Sequence, residues 1–332
     1  MRDALVTYLL FLAEALTVVL LIAALVTVIG VLIRRGRPRS HLQVVDLGEH
    51  YDKLARTLEA EVLPKREVKA HLKTDRTRRK QARSGATPPR PRMFVISFRG
   101  DLRASEVAGL REEITAILSL ATGSDEVVLR LHNPGGAVHE QGLAASQLAR
   151  IRQRGIPLTV CVDSMAASGG YMMACVGSRI VAAPFAILGS IGVISVTPNF
   201  HRLLDRAGVD VEQFTGGRYK RTVTLFGENT DEGRAKAAQE VTETHDLFKE
   251  FVAQHRPQVD IATVSTGEWW YGRQALQLNL VDELITSDDY LLAARERADL
   301  YGVSYRAPIP AARRFTAAAR SAVRRSMPTH GA

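Results

Sequence analysis

The chain has 332 residues, 46% of them apolar, and a formal net charge of +9. That length and composition supply a sizeable buried core, so most of the chain should fold, and they exclude a mainly disordered protein. Two cysteines, Cys161 and Cys175, form no disulfide framework; each sits in an apolar run as a small buried residue.

The positive charge belongs to the flanks. Residues 34–92 hold 17 Lys/Arg against 7 Asp/Glu, residues 305–332 hold six arginines and no acid, and the stretch 93–304 is net acidic. Basic segments beside a bilayer are drawn to anionic headgroups by roughly 1 kcal/mol per charge. Solvated, disordered arms would carry the same charge. No aromatic residue interleaves the arginines of 76–92, so base stacking has no platform there and nucleic acid is not an expected partner.

Residues 15–33 are 19 consecutive residues without a charge. At about 1.5 Å per residue they nearly cross a hydrocarbon core of about 30 Å, and residues 5–13 extend the span past Glu14. The charges Arg34, Arg35, Arg37 and Arg39 follow the run, and no small-residue cleavage site comes after it, which argues for an uncleaved single-pass anchor in a cell (inner) membrane rather than a signal peptide. The positive-inside rule then puts the downstream chain on the cytoplasmic side. Residues 34–92 read as a basic linker with a surface helix near 46–72, where Leu47, Tyr51, Leu54, Leu58 and Val62 recur at helical spacing.

From Met93 the pattern alternates. MFVISFRG is a strand, ASEVAGLREEITAILSLAT an amphipathic helix, EVVLRLH a strand, HEQGLAASQLARIRQRG a helix, and LTVCVD and RIVAAP are further strands. Strands alternating with helices predict crossover βαβ units and a mainly parallel α/β sheet, with chemistry at the strand ends. Residues 180–196 contain Pro184, Gly189 and Gly192 and split into two short strands around a turn instead of a second membrane span. The expected layout is an anchor at 5–33, a linker at 34–92, a folded domain at 93–304 and a basic tail at 305–332.

Two segments carry chemistry. His132-Asn133-Pro134-Gly135-Gly136-Ala137-Val138 joins a strand to a helix, where glycines admit a ligand close to the backbone and helix-terminal amides favour negative charge. A functionless tight turn would look the same. Asp163-Ser164-Met165-Ala166-Ala167-Ser168-Gly169-Gly170-Tyr171 also follows a strand and enters an apolar helix. Ser168, between Ala-Ala and Gly-Gly, has the steric setting of an exposed nucleophile, with the next amide placed to hold an oxyanion; a helix-capping serine is the plainer alternative. Ser164 lacks the glycines and reads as a cap or strand-end residue. No His/Cys/Asp/Glu cluster has metal-ligand spacing and no phosphate loop is present, so neither metal nor cofactor is expected.

In order along the chain, Asn-Pro-Gly-Gly-Ala-Val, Asp-Ser-Met-Ala-Ala-Ser-Gly-Gly-Tyr, Val-Ala-Ala-Pro, Leu-Gly-Ser-Ile-Gly-Val, Trp270-Tyr271-Gly272-Arg273-Gln274-Ala275 and Leu280-Val281-Asp282-Glu283-Leu284 resemble the signal peptide peptidase (SppA/SohB) family of serine proteases over about residues 93–286. The resemblance implies a ClpP/crotonase-like fold and a Ser–Lys dyad. Ser168 matches the nucleophile, Lys220 in Gly216-Gly217-Arg218-Tyr219-Lys220 the general base, Ser190 the serine that supports the lysine, and Gly136 and Gly169 the oxyanion hole. A lysine serves as a base only when neutral, which requires a water-poor site. Arg218 and Arg221 flank Lys220, and the segment by itself reads as an ordinary surface loop. The implied substrates are peptides, among them signal-peptide remnants and membrane-derived peptides, and the implied assembly is a homo-oligomer with active sites shared between protomers. Segment 230–256 is a candidate packing surface, or a helix covering its own sheet.

Two competing arrangements stay open. A histidine base is one: His132 and His139 flank the glycine motif, and His201 with Asp205 or Asp210 has spacing compatible with a Ser–His–Asp site. A catalytically inactive crotonase-like membrane scaffold is the other; the presence of both Ser168 and Lys220 argues against it.

Overall fold

The computed structural model describes residues 14–23, 41–73 and 90–306. It divides into two units, Met1–His41 with Arg306–Ala332 and Leu42–Tyr305. In the first, residues 14–23 are helical with exposed side chains, and the rest of the expected anchor lies outside the described residues, as does the tail beyond Arg306. Among the described residues no helix is long and apolar enough to cross a membrane.

The second unit is built on a seven-stranded sheet. In chain order its strands are β1 (His41–Asp46), β2 (Arg92–Arg99), β3 (Glu126–His132), β4 (Leu158–Val162), β6 (Arg179–Ala182), β9 (Glu283–Leu284) and β10 (Asp299–Arg306), arranged β1-β10-β2-β3-β4-β6-β9. Every pairing from β10 to β9 is parallel. The predicted alternation is therefore present as crossover units, and residues 41–62 of the stretch read as linker contribute β1 and helix α1 (Leu47–Val62).

Parallel strands are buried on both faces, and the period-2 alternation of side chains sorts their residues into two cores. Phe94, Ile96 and Phe98 with Val127, Leu129 and Leu131 face one cluster, shared with helices α2 (Val107–Leu118), α3 (Val138–Gln153) and α6 (Asp231–His255). Met93, Val95, Val128, Cys161 and Val181 face the other, covered by α7 (Ser287–Ala294) and by Leu47 and Tyr51 of α1. Both cysteines are buried and free, and burial pushes their thiols well above the ordinary range, so they are inert packing groups. Residues 180–196 form β6, a turn and β7 (Ile187–Gly189), as the glycine and proline positions predict.

Charged groups pin the sheet ends. Asp125 accepts from the Arg92 backbone, Nε and Nη2 at 2.9, 3.0 and 2.7 Å and from the Thr122 amide at 2.8 Å. The Arg92 guanidinium and these amides hold its carboxyl far below the usual range. A depressed carboxylate stabilises the fold above its unfolded pKa, near 4, and that stabilisation is lost as pH falls through the folded value. Acid titration of thermal stability is the check: Asp125→Asn is expected to lower Tm at pH 7 and to flatten the decline below pH ~4.

Candidate active site

A second, three-stranded sheet carries the site. Its order is β5 (Met165–Ala167), β7 and β8 (Trp269–Tyr271), with β5–β7 parallel and β7–β8 antiparallel. The register pairs Ala167 with Gly189, so Ser168 and Ser190 leave adjacent strands side by side.

Ser168 has φ +53° and ψ −121°, a conformation that a residue with a Cβ adopts only when its surroundings impose it. They do so from both sides: its amide donates to Gly189 O at 2.8 Å, and its carbonyl accepts from the Met172 amide at 3.0 Å. It begins helix α4 (Gly169–Ala174), yet its hydroxyl makes no capping bond, so the capping alternative does not hold. The half-buried side chain stands at a sharp strand-to-helix turn, the geometry of a nucleophile elbow. Ser190 repeats the device with φ +51°, its amide donating to Glu268 O.

The glycine motif lies against this turn. Gly135 has φ +93°, and a Cβ there would sit 2.8 Å from Ser168 Cβ and 3.0 Å from Gly169 N. Gly170 is required equally: its Cβ would lie 2.1 Å from Asn133 O. The strut is Asn133, fully buried, whose Oδ1 accepts from the Gly135 amide at 2.8 Å and whose Nδ2 donates to Gln141 Oε1 at 2.8 Å. Gln141 in turn donates to Asp101 O at 3.0 Å. Among the described residues, neither the Gly136 nor the Gly169 amide donates to a side chain or to a loop carbonyl.

Asn133 and Gln141 as positioning residues escaped the sequence reading. The signal was present for Gln141: it shares a buried stripe with Ala144, Ala145, Leu148 and Ile151, and a polar side chain on such a stripe needs a partner. His245 was likewise missed; its Nε2 lies 3.2 Å from Ile191 O and secures the segment after Ser190. The closing motifs act from behind. Trp270 covers Gly189, and Asp282 pairs with the buried Arg256 at 2.9 Å while accepting from the Ile180 amide at 2.7 Å.

Among the described contacts, none joins Lys220 to this cluster. It is exposed in the stretch between α5 (His201–Arg206) and α6, its amide donating to Gly217 O at 3.2 Å. It lines a cavity of about 870 Å³ with Val196, Phe214, Val223, Leu225 and Phe226, and neither Ser168 nor Ser190 lines it. Arg218 is engaged elsewhere, with Glu232 at 2.7 Å.

Two of the three histidines named as rival bases have side-chain partners, and the third is fixed through its backbone. His132 Nδ1 lies 2.6 Å from the Ser164 hydroxyl, His139 lies 3.9 Å from Glu140, and His201 opens α5 with its amide donating to Asn199 Oδ1. Among the described residues no group of three or more His, Cys, Asp or Glu could hold a metal ion.

A parallel α/β sheet with a strained serine at a strand-to-helix turn and a glycine loop packed against it is the setting of a hydrolase-type site. Comparison with known proteins gives the family. The description "Peptidase family S49 N-terminal" matches residues 3–148 and "Peptidase family S49" matches residues 150–301. The chain is 46% identical over 318 residues to "Probable protease SohB" of Haemophilus influenzae, covering 92% of this chain and 90% of that protein. It is 42% identical over 309 residues to "Probable protease SohB" of Buchnera aphidicola subsp. Schizaphis graminum, covering 91% and 90%. "Putative signal peptide peptidase SppA" of Enterococcus faecium is 29% identical over 176 residues, covering 52% of this chain and 51% of that one. The chain belongs to peptidase family S49.

Proposed function

We propose that this peptidase is a membrane-anchored serine endopeptidase of ClpP/crotonase-like fold with a Ser–Lys dyad, acting on signal-peptide remnants or membrane-derived peptides. The observation that carries the reading is the positive-φ turn at Ser168, with Gly169 next to it in the chain and Gly135 of the glycine loop packed against it. The Ser168 hydroxyl attacks the peptide carbonyl and its proton passes to the neutral amine of Lys220. The carbonyl oxygen becomes an oxyanion held by the Gly136 and Gly169 amides, each worth on the order of 3 kcal/mol. The lysine then returns the proton to the leaving amine, and water releases the acyl group from Ser168 by the same route. Ser190, which leaves the strand neighbouring that of Ser168, hydrogen-bonds the lysine in this reading. The apolar run 15–33 tethers the chain in the cell (inner) membrane, with the protease domain on the cytoplasmic side.

The lysine of each site comes from a neighbouring copy in a homo-oligomer. Lys220 lies on an arm whose apolar side chains are open to solvent: Ile194 is 88%, Val196 83% and Phe214 88% exposed. Contiguous apolar exposure of this kind is a mark of an interface. Burial there would also remove water from Lys220, as a lysine base requires. Mixing inactive Ser168→Ala with inactive Lys220→Ala subunits is expected to restore peptide release. If mixed assemblies form and stay inactive, the shared site is wrong. A fluorophosphonate label on Ser168 separates the protease from a catalytically inactive scaffold.

A further inference from the structure

Helix α1 carries one apolar stripe, Leu47, Tyr51, Leu54, Leu58 and Val62, at spacings of three and four residues. The stripe has two fates. Leu47 and Tyr51 pack into the second core, and Asp52 ties this end of the helix to Arg295. The other three stand in the open: Leu54 is 56%, Leu58 66% and Val62 68% exposed. An ordinary surface helix places polar residues where its stripe runs past the body, so three successive apolar positions there point to a second surface. Residues 65–73 form a further helix that returns along α1, with His71 3.3 Å from Glu59. Its Lys65, Arg66, Lys69 and Lys73 are exposed.

The upstream sequence indicates what that surface is. The uncharged run ends at Ile33, 14 residues before Leu47, a reach of at most about 50 Å when extended. Arg34, Arg35, Arg37 and Arg39 follow the run directly. A helix that presents an apolar face beside clustered Lys/Arg, on so short a tether to a membrane span, has the makings of an interfacial helix. We propose that the open half of α1 docks on an anionic bilayer surface, laying Leu54, Leu58 and Val62 at the headgroup–acyl boundary while the cations of 65–73 meet headgroup phosphates. The docked half and the core-packed half belong to one helix, so docking sets the orientation of the sheet, and with it the Ser168 site, to the membrane. The inference rests on the anchoring reading above.

The test uses the full chain in vesicles with and without phosphatidylglycerol, labelled with an environment-sensitive dye at Leu58→Cys or, on the polar face, at Ala60→Cys; the two native thiols are buried. In anionic vesicles the dye at 58 is expected to shift to the blue and to be quenched by brominated acyl chains, while the dye at 60 stays open to iodide. In vesicles of neutral lipid the shift at 58 should shrink. Flotation of the same samples reads the anchor separately. A chain that floats but leaves the dye at 58 as aqueous as at 60 overturns the docking helix and spares the anchor. A chain that does not float overturns both. Protection at 58 without bromine quenching, lost as copies are diluted in the vesicles, assigns the face to a second copy and also overturns the proposal.

Discussion

Ser168→Ala and Lys220→Ala are each expected to reduce peptide hydrolysis by roughly 10⁴- to 10⁶-fold, with the double variant hardly worse than either single one. The physical reason for the non-additivity is that the serine oxygen attacks only as its proton leaves, so deleting donor or acceptor removes the same step. Residual turnover above the uncatalysed rate should persist in all three, because the oxyanion hole proposed at the Gly136 and Gly169 amides is left intact. Folding should be unaffected: Ser168 makes its structural bonds through its backbone, and Lys220 is exposed. Steady-state kinetics with circular dichroism as the folding control decides the matter. Substantial activity in Lys220→Ala would transfer the base role to another residue.

Gly135→Ala is the second large effect, and it tests the backbone instead of the proposed dyad. A methyl at this position meets the Ser168 Cβ at 2.8 Å and the Ala167 carbonyl at 2.9 Å, and the φ of +93° strains any residue that carries a Cβ. Relief requires either the glycine loop or the Ser168 turn to move by a few tenths of an ångström or more. Displacements on the scale of 1 Å cost on the order of 10²-fold in rate when they misplace a nucleophile. A kcat loss of that order is therefore expected, together with destabilisation of ~1–3 kcal/mol. Gly142→Ala is the matched control. It lies within helix α3 with nothing within 4 Å of a Cβ, so it should retain full activity and gain up to about 1 kcal/mol. Equal losses at both positions would show that the fit around Ser168 is not what matters.

Much of the protease body was legible in the one-dimensional pattern. The runs MFVISFR, EVVLRLH and LTVCV are apolar on both strand faces, which only a sheet covered on both sides requires, and they are the central strands β2, β3 and β4. The tight strand-to-helix turn at Ser168 was legible as well, because the small residues that permit it are its immediate neighbours in the chain. Local steric demands write themselves into local sequence.

What the sequence could not reveal are relations between segments distant along the chain. Nothing near Asn133 announces that its amide is the strut between Gly135 and Gln141, since Asn-Pro-Gly-Gly reads equally well as a plain turn; the strut exists only once α3 packs against β3. The helix signal at 46–72 was correct as periodicity, but periodicity cannot say that Leu47 and Tyr51 find the core while Leu54, Leu58 and Val62 of the same stripe do not. Burial depends on what lies opposite, and that is a property of the folded chain. Lys220 is the sharpest instance. Its sequence neighbours mark a surface loop and it is exposed, yet whether it meets Ser168 depends on packing between distant elements or copies, which those neighbours do not encode.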